Sequence, residues 1–218
     1  MASQSLNGFR YFGDVEINST VLGLMSGDSR TYVSADQVIE ESGADGPRDA
    51  NKAPIPVEFL RSINSGSLPP GELTLKVGCP LILLRNLAPA EGLCNGTRMI
   101  LRRMSERVLE CQLVGGDHDG ELALIPRITL TPSNTADFTF MFSRRQFPLR
   151  LAFALTINKA QGQSVKFVGL DLRVPVFSHG QLYVAFSRAT SSYRIKVLLP
   201  EDAVAETVNI VYPEVLIQ

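Results

Sequence analysis

No G-x-x-x-x-G-K-[ST] run occurs anywhere in the 218 residues. The chain therefore lacks the glycine-rich loop whose amides and lysine cradle the β- and γ-phosphates of a nucleotide. Nor is there a stretch of 18 uninterrupted apolar residues, which argues against a membrane-spanning helix. The opening segment, MASQSLNGFR, has neither the charged start nor the apolar core of a secretory signal. Cysteine is scarce: Cys79, Cys94 and Cys111 are odd in number and lack C-x-x-C spacing. They read as buried, reduced thiols of a cytosolic or nuclear protein rather than as a zinc site. The two histidines, His118 and His179, are too scattered to suggest a metal, so none is expected.

What is present is ordinary for a globular chain, with 44% apolar and 20% charged residues. The length suits one large or two small domains. A net charge of −1 does not by itself suggest a nucleic-acid binder. Its distribution is more informative. Residues 1–75 carry five Lys/Arg against ten Asp/Glu, residues 76–218 sixteen against twelve, and eight arginines fall between Arg98 and Arg150. A solvated surface explains that asymmetry as well as a phosphate track does.

Along the chain, Val15, Ile17, Val21, Leu22 and Met25 recur at helical spacing after Asp14, a suitable N-cap. A short strand is expected around Thr31–Ser34, then a polar loop over 40–53. PIPVEFLRSIN (54–64) restores helix, and SGSLPPGE (65–72) punctuates it. The texture then becomes β-rich. LTLKVGCPLILLRNL (73–87) bends at Gly78 and Pro80, 96–116 reads as two strands turning near Ser105–Glu106, and 121–132 and 138–155 continue the pattern. Short strands at such spacing suggest a small barrel. CNGT supplies an Asn-Gly turn, a structural reading that covers Asn95, Gly96 and Thr97. The tail alternates strand near 150–155, helix from 157, strand 165–172, helix 179–188 and strand 194–199. The pattern is that of an α/β domain interrupted by a small β module.

Two polar clusters stand out in the tail, TINKAQGQS (156–164) and HGQLYVAFSRA (179–189), each beside an apolar run. Polar and cationic groups at strand ends and helix starts are how an α/β sheet presents a ligand site. Together with GELTLKVGCPLILLRNLAPAEGLCNGTRMIL (71–101), RRQFPLRLAFALTINKAQGQS (144–164) and VFSHGQLYVAFSRATS (176–191), they resemble the C-terminal half of Pif1-like helicases. The most similar branch is the one shared with Helitron transposon helicases. INSTVLGLMSGDSRTYVSAD (17–36) extends the resemblance over nearly the whole chain.

The resemblance implies an incomplete RecA-like domain of the P-loop NTPase type, 2A, with an inserted small SH3-like β-barrel, 2B. It divides the chain into 1–74 as the first part of 2A, 75–145 as 2B and 146–218 as the rest of 2A. The first RecA-like domain, with the phosphate loop and magnesium-binding acidic motif, is missing and would have to be supplied in cis or in trans. ATP and Mg2+ belong to the complete motor, and neither is expected to bind tightly to this chain alone.

By the same resemblance Arg188 is the residue that reaches the nucleotide, its guanidinium meeting charge on the γ-phosphate oxygens. Its plainer reading is a surface arginine capping a helix or pairing with a carboxylate. Gln161, Gly162 and Gln163 would lie between nucleotide and DNA, Gly162 allowing close backbone approach; alternatively they are a polar helix end. Thr156, Asn158 and Lys159 suit contacts to a single-strand backbone. Better-known family members carry His-Lys-Ser where this chain has Asn158-Lys159-Ala160. Arg98, Arg102 and Arg103 could follow a phosphate backbone, although strand alternation would put Arg102 and Arg103 on opposite faces. Arg144, Arg145 and Arg150 form a second basic cluster. Phe138, Phe140, Phe142 and Phe147 read as barrel core, Tyr183 as packing or stacking, and His179 as a helix start.

The expected function is that of a partial 5′–3′ DNA helicase. It would grip single-stranded DNA and contribute an arginine finger, but would not hydrolyse ATP by itself. The family places it in DNA repair, recombination and telomere maintenance, in the nucleus or, by analogy, in mitochondria, without a membrane. A different reading is an exapted remnant whose SH3-like barrel serves protein interaction.

Overall fold

The computed structural model describes residues 16–39, 55–64, 68–132, 140–201 and 206–215. The Asp14 cap, the 40–53 loop and Phe138 lie outside the described residues. Two compact units divide the chain, Val15–Ala154 and Leu155–Gln218 with Met1–Asp14. Within the larger unit the early strands pair with later ones.

In the larger unit, helix α1 (16–24) buries Asn18 and Leu22, one turn apart. Asn18 donates Nδ2 to the Ala154 carbonyl and accepts from the Ala154 amide through Oδ1, at 2.9 and 3.0 Å. Strand β1 (Ser29–Val33) leads into β2 (Ala35–Ile39), and α2 (Val57–Ser62) buries Leu60. β3 (Glu72–Lys76) pairs antiparallel with β1. Gly71 sits just before β3, where a Cβ would come within 2.3 Å of the Arg61 carbonyl oxygen, so only glycine fits this close approach.

The strands β4 (Pro80–Leu83), β5 (Arg98–Met104), β6 (Val108–Val114), β7 (Leu122–Pro126), β8 (Ile128–Leu130), β9 (Met141–Gln146) and β10 (Leu149–Leu151) follow. They form an antiparallel sheet in the order β10-β4-β5-β6-β7 and a second in the order β2-β9-β8. The β-rich centre is as expected, with the β5–β6 turn at residues 105–107. Among the described residues, however, the five-stranded sheet is open: β10 and β7 are its edges and do not pair, so no closed barrel is seen. The Asn-Gly turn forms, with Thr97 N donating to the Cys94 carbonyl at 3.0 Å, but inside the long β4–β5 connection rather than as a two-residue hairpin.

Alternation along these strands sends leucines inward. Leu73, Leu75, Leu81, Leu83, Leu101 and Leu109 meet Phe147 and the thiols of Cys79 and Cys111 in one core. A smaller core joins Leu60, Ile63 and Leu68 to Phe142.

Arg144, expected on a phosphate track, is instead fully buried. Its Nε and Nη2 grip the Asp36 carboxylate, with Nη2 to Oδ2 at 2.9 Å. Nη1 donates to the Ile63 and Pro69 carbonyls, both at 3.0 Å, and Nη2 also reaches the Leu60 carbonyl. All five N–H donors are thereby used inside the protein. Removing one member of such a buried pair leaves the other charge uncompensated. Arg144→Ala is therefore expected to destabilise the chain by about 3–5 kcal/mol in urea unfolding. Arg145→Ala, exposed one residue later on the same strand, should change stability by less than about 0.5 kcal/mol.

The smaller unit carries β11 (Val168–Asp171) and β12 (Ile195–Leu198), paired in parallel, and α3 (Gln181–Phe186). Leu170, Leu172, Val176 and Ala185 form its core, with Leu182 and Ile195 packed against them. The expected helix from 157 is only a 3-10 turn, Ile157–Ala160. Gln161 leaves helical geometry at ψ 138° and Gly162 takes φ +78°, which ends the turn. Among the described residues no helix is long and apolar enough to cross a membrane.

Burial raises the Cys79 thiol and pushes that of Cys111 up to about 12, while Cys94 is only half-buried. Thiolate is the reacting species. In the native chain at pH 8, iodoacetamide should therefore label Cys94 and spare the other two, read by mass spectrometry. An unfolded thiol ionises near 9, so Cys111 binds its proton more tightly in the folded state. Its contribution to stability is whole below that pH and is lost as the pH rises towards 12.

Candidate functional site

The two polar clusters of the sequence meet within the smaller unit, and Arg188 joins them. Helix α3 starts after Gly180, whose φ of +76° turns the chain sharply into it, without a side-chain cap. His179 does not start the helix as expected; its Nδ1 accepts from the Tyr212 amide at 3.1 Å and its ring stacks on Tyr212. Helix α3 ends at Ser187, which delivers Arg188 beside the 160–163 turn.

The Arg188 guanidinium donates through Nε to the Val184 carbonyl at 2.8 Å, and through Nη1 to the carbonyls of Gln163 at 2.8 Å and Ala160 at 3.3 Å. Nη2 donates to Ser187 Oγ at 2.8 Å. Its own carbonyl accepts from Val165 N at 3.0 Å. The helix-capping reading is thus partly realised at Val184, and a grip on the Gln161–Gln163 turn is added to it. These four bonds occupy four of the five guanidinium N–H groups. The arginine is half-buried, poised at the turn with its remaining N–H on Nη2.

The turn itself is tied back. Thr156 Oγ1 accepts from the Lys159 amide at 3.4 Å, and Gln163 Nε2 donates to the Lys159 carbonyl at 3.1 Å. Gly162 has nothing within 4 Å of where a Cβ would be, so its backbone faces open space. Gln161 is exposed and Asn158 likewise. Asn158 accepts at Oδ1 from Gln181 Nε2 at 3.4 Å, while Gln181 Oε1 accepts from the Phe177 amide at 3.0 Å. Gln181 is buried, and its bridging role between the two clusters is one the sequence did not reveal. A glutamine opening a helix has no spacing signature that distinguishes a bridge from a surface residue. Tyr183, weighed between packing and stacking, is 76% exposed and so does not pack into the core.

Of the candidate site residues, Thr156, Asn158, Lys159, Gln161, Gly162, Gln163 and Arg188 are gathered here. Arg98, Arg144 and Arg145 belong to the larger unit. There Arg145 is exposed on β9 and Arg98 half-exposed on β5, but Arg144 is sealed off as described. Arg102 and Arg103 do not take opposite faces: a β-bulge between Leu101 and Arg103 interrupts the alternation and leaves both exposed. Arg102 is held by Gln112 Oε1, and Arg103 lies 4.0 Å from Glu110.

Chemically, the gathered residues offer amide, hydroxyl, ammonium and guanidinium donors around one backbone turn, a surface suited to phosphate oxygens. They do not form a nucleotide cradle. Among the described residues no group of three or more His, Cys, Asp or Glu could hold a metal ion. If Arg188 is what fixes the turn, Arg188→Ala should speed amide hydrogen exchange at Gln163 and Val165 while leaving Leu170 in β11 unchanged. Arg188→Lys should not restore protection, since one ammonium lacks the fork that spans both carbonyls.

Comparison with known proteins agrees with the motifs. The family described as DNA helicase Pif1, 2B domain, matches residues 58–104. ATP-dependent DNA helicase PIF1 of Rattus norvegicus is 36% identical over 135 residues, 58% of this chain and 19% of that protein. PIF1 of Candida albicans is 48% identical over 62 residues, 28% of this chain and 7% of that protein. Among solved structures, Pif1 helicase from Candida albicans aligns with 86% of this chain and 43% of its own at TM-score 0.60 and 27% identity. Pif1 helicase from Bacteroides in complex with ADP-AlF3 and ssDNA aligns with 94% and 42% at TM-score 0.64 and 24% identity, a likeness of fold alone. The matched stretch is thus about a fifth of the first of these relatives and under half of the solved chains.

Proposed function

We propose, from the premise that this chain is Pif1-like over the greater part of its length, that it is the strand-gripping C-terminal part of a DNA helicase. In this reading it binds single-stranded DNA and supplies Arg188 to a nucleotide held elsewhere. The observation that carries it is the Arg188 bracket. One side chain couples the end of α3 to the Gln161–Gln163 turn, so movement of a phosphate at Arg188 would be felt at the segment beside the strand-facing residues. Support also comes from related structures, one of which is described as bound to ssDNA. Thr156, Asn158 and Lys159 would contact the sugar-phosphate backbone, which positions a strand without reading its sequence.

ATP and Mg2+ belong, in this reading, to the complete motor. A bound nucleotide supplies the free energy of phosphoryl transfer, and this chain's part is a donor that relieves charge on the transferred group. The SH3-like 2B assignment rests on the family match over 58–104 and the antiparallel strands within it. A second reading, a protein-interaction module, is favoured by edge strand β7, which exposes Leu122 and Leu124 to 64% and 65%.

Fluorescence anisotropy of labelled single-stranded oligonucleotides distinguishes the two. Binding is expected to weaken with salt, because each neutralised phosphate releases counterions. An Arg145→Ala, Lys159→Ala double variant should weaken it further and flatten the salt slope. Absence of binding at low salt by a folded chain would remove the helicase reading in favour of the interaction module. The chain alone is expected to hydrolyse no ATP.

A further inference from the structure

The outer face of the two-stranded sheet in the smaller unit carries exposed aromatic rings among cations. Alternation sends Val168, Leu170 and Ile195 to the core, and therefore Phe167, Gly169 and Lys196 to the opposite face. Gly169 pairs with Lys196 in register, and a Cβ at Gly169 would meet nothing within 4 Å. The result is an open groove of about 310 Å³, floored by bare backbone at Gly169 and walled by Phe167 and Tyr193. These rings are 70% and 97% exposed. Two such exposed aromatics lining one groove are an apolar patch of the kind that marks an interaction site.

Cations surround the rings. Lys166 Nζ lies 5.8 Å and Arg194 Cζ 6.0 Å from the centroid of Phe167. Lys196 lines the same groove, and none of these three takes part in an ion pair among the described residues. In a chain of net charge −1, three unpaired cations around exposed rings are a local excess of positive charge. Val165, two residues before Phe167, is hydrogen-bonded to the Arg188 carbonyl, so the chain runs directly from the motif site to the groove.

We propose that this groove is a base-stacking platform for single-stranded DNA, separate from the motif residues and extending the strand path beyond them. It rests on the strand-binding function proposed above. Flat π-faces on Phe167 and Tyr193 accept any base, the empty floor over Gly169 admits a ring edge-on, and Lys166, Arg194 and Lys196 follow the phosphates. A groove open to solvent along its length suits a continuous strand rather than a mononucleotide, which needs enclosure to be held.

The test compares binding of a labelled dT15 oligonucleotide with that of an abasic strand of equal length and charge, using the full 218-residue chain. Wild type should prefer dT15 by about 10-fold, since stacking on one ring is worth on the order of 1–3 kcal/mol. Phe167→Ala and Tyr193→Ala, both exposed and so harmless to folding, should erase that preference while keeping the salt slope. Lys196→Ala should reduce the slope by about one and leave the preference intact. Gly169→Val keeps a strand-compatible backbone, verified by circular dichroism, and should lower dT15 affinity by filling the floor. Equal binding of both strands by wild type, or a preference that survives loss of the rings, overturns the platform while leaving the strand-binding function standing. Failure to bind either strand overturns both. Should the ring variants alter only sedimentation of the chain, the face is a protein interface and the platform is overturned.

Discussion

The larger unit depends on one ion pair. Arg144 and Asp36 lie 108 positions apart in sequence, on neighbouring strands β9 and β2, and both are buried. Isolated burial of either charge would be prohibitive. What makes the pair tolerable is that the guanidinium fork also meets the carbonyls of Leu60 and Ile63, at the end of α2, and of Pro69. A helix leaves its last carbonyls without intrahelical partners, and a positive group there is favoured by the dipole as well. The ion pair therefore does three jobs at once. It fixes the β2–β9 register, docks α2, and satisfies the backbone carbonyls of Leu60, Ile63 and Pro69.

The same chemistry recurs in the smaller unit at lower burial. Arg188 also directs a planar fork at main-chain carbonyls, but it is half-buried and not neutralised by a carboxylate among the described residues. Its positive charge is thus shared among dipoles that hold it in place without cancelling it. A guanidinium held so can exchange a carbonyl for a phosphate oxygen at modest cost, because the incoming acceptor is the stronger one. Arg144 cannot, since every donor is committed to a formal charge or to a buried carbonyl. The difference between a sealed and an accessible arginine here is partner charge and access, not residue type.

That difference was not legible in the sequence. Arg144 and Arg145 are adjacent, and only the pleat decides that one enters the protein and the other faces out. Aspartate 36 is the missing half of the signal, and nothing in the local pattern around it marks a partner so far away. Periodicity served better where burial is one-sided: β3 through β7 and the turn near 105 are all readable from alternating leucines and turn residues. It served less well for the tail. The 157–160 segment has a helical look, yet Gly162 and the Gln161 backbone stop it after one 3-10 turn. Closure of the β-sheet is a matter of edge pairing between β10 and β7, which no strand's own sequence specifies. The bulge at Leu101–Arg103 likewise depends on the facing strand.

On the proposed readings, the motif site and the outer sheet face would divide two tasks that a strand-binding surface must perform. Donors around the 156–163 turn are short-range and directional, suited to fixing phosphates one at a time. They gain little from the bases. The face around Phe167 and Tyr193 is the converse, broad and non-directional, gaining from every base whatever its identity and from phosphates only through screened charge. A motor that advances along a strand needs grips that can be released in turn. Directional bonds break sharply with a small displacement, whereas a stacked ring tolerates sliding. In that reading, the grip beside Arg188 would loosen with a change at the phosphate while stacked bases would keep the strand from leaving.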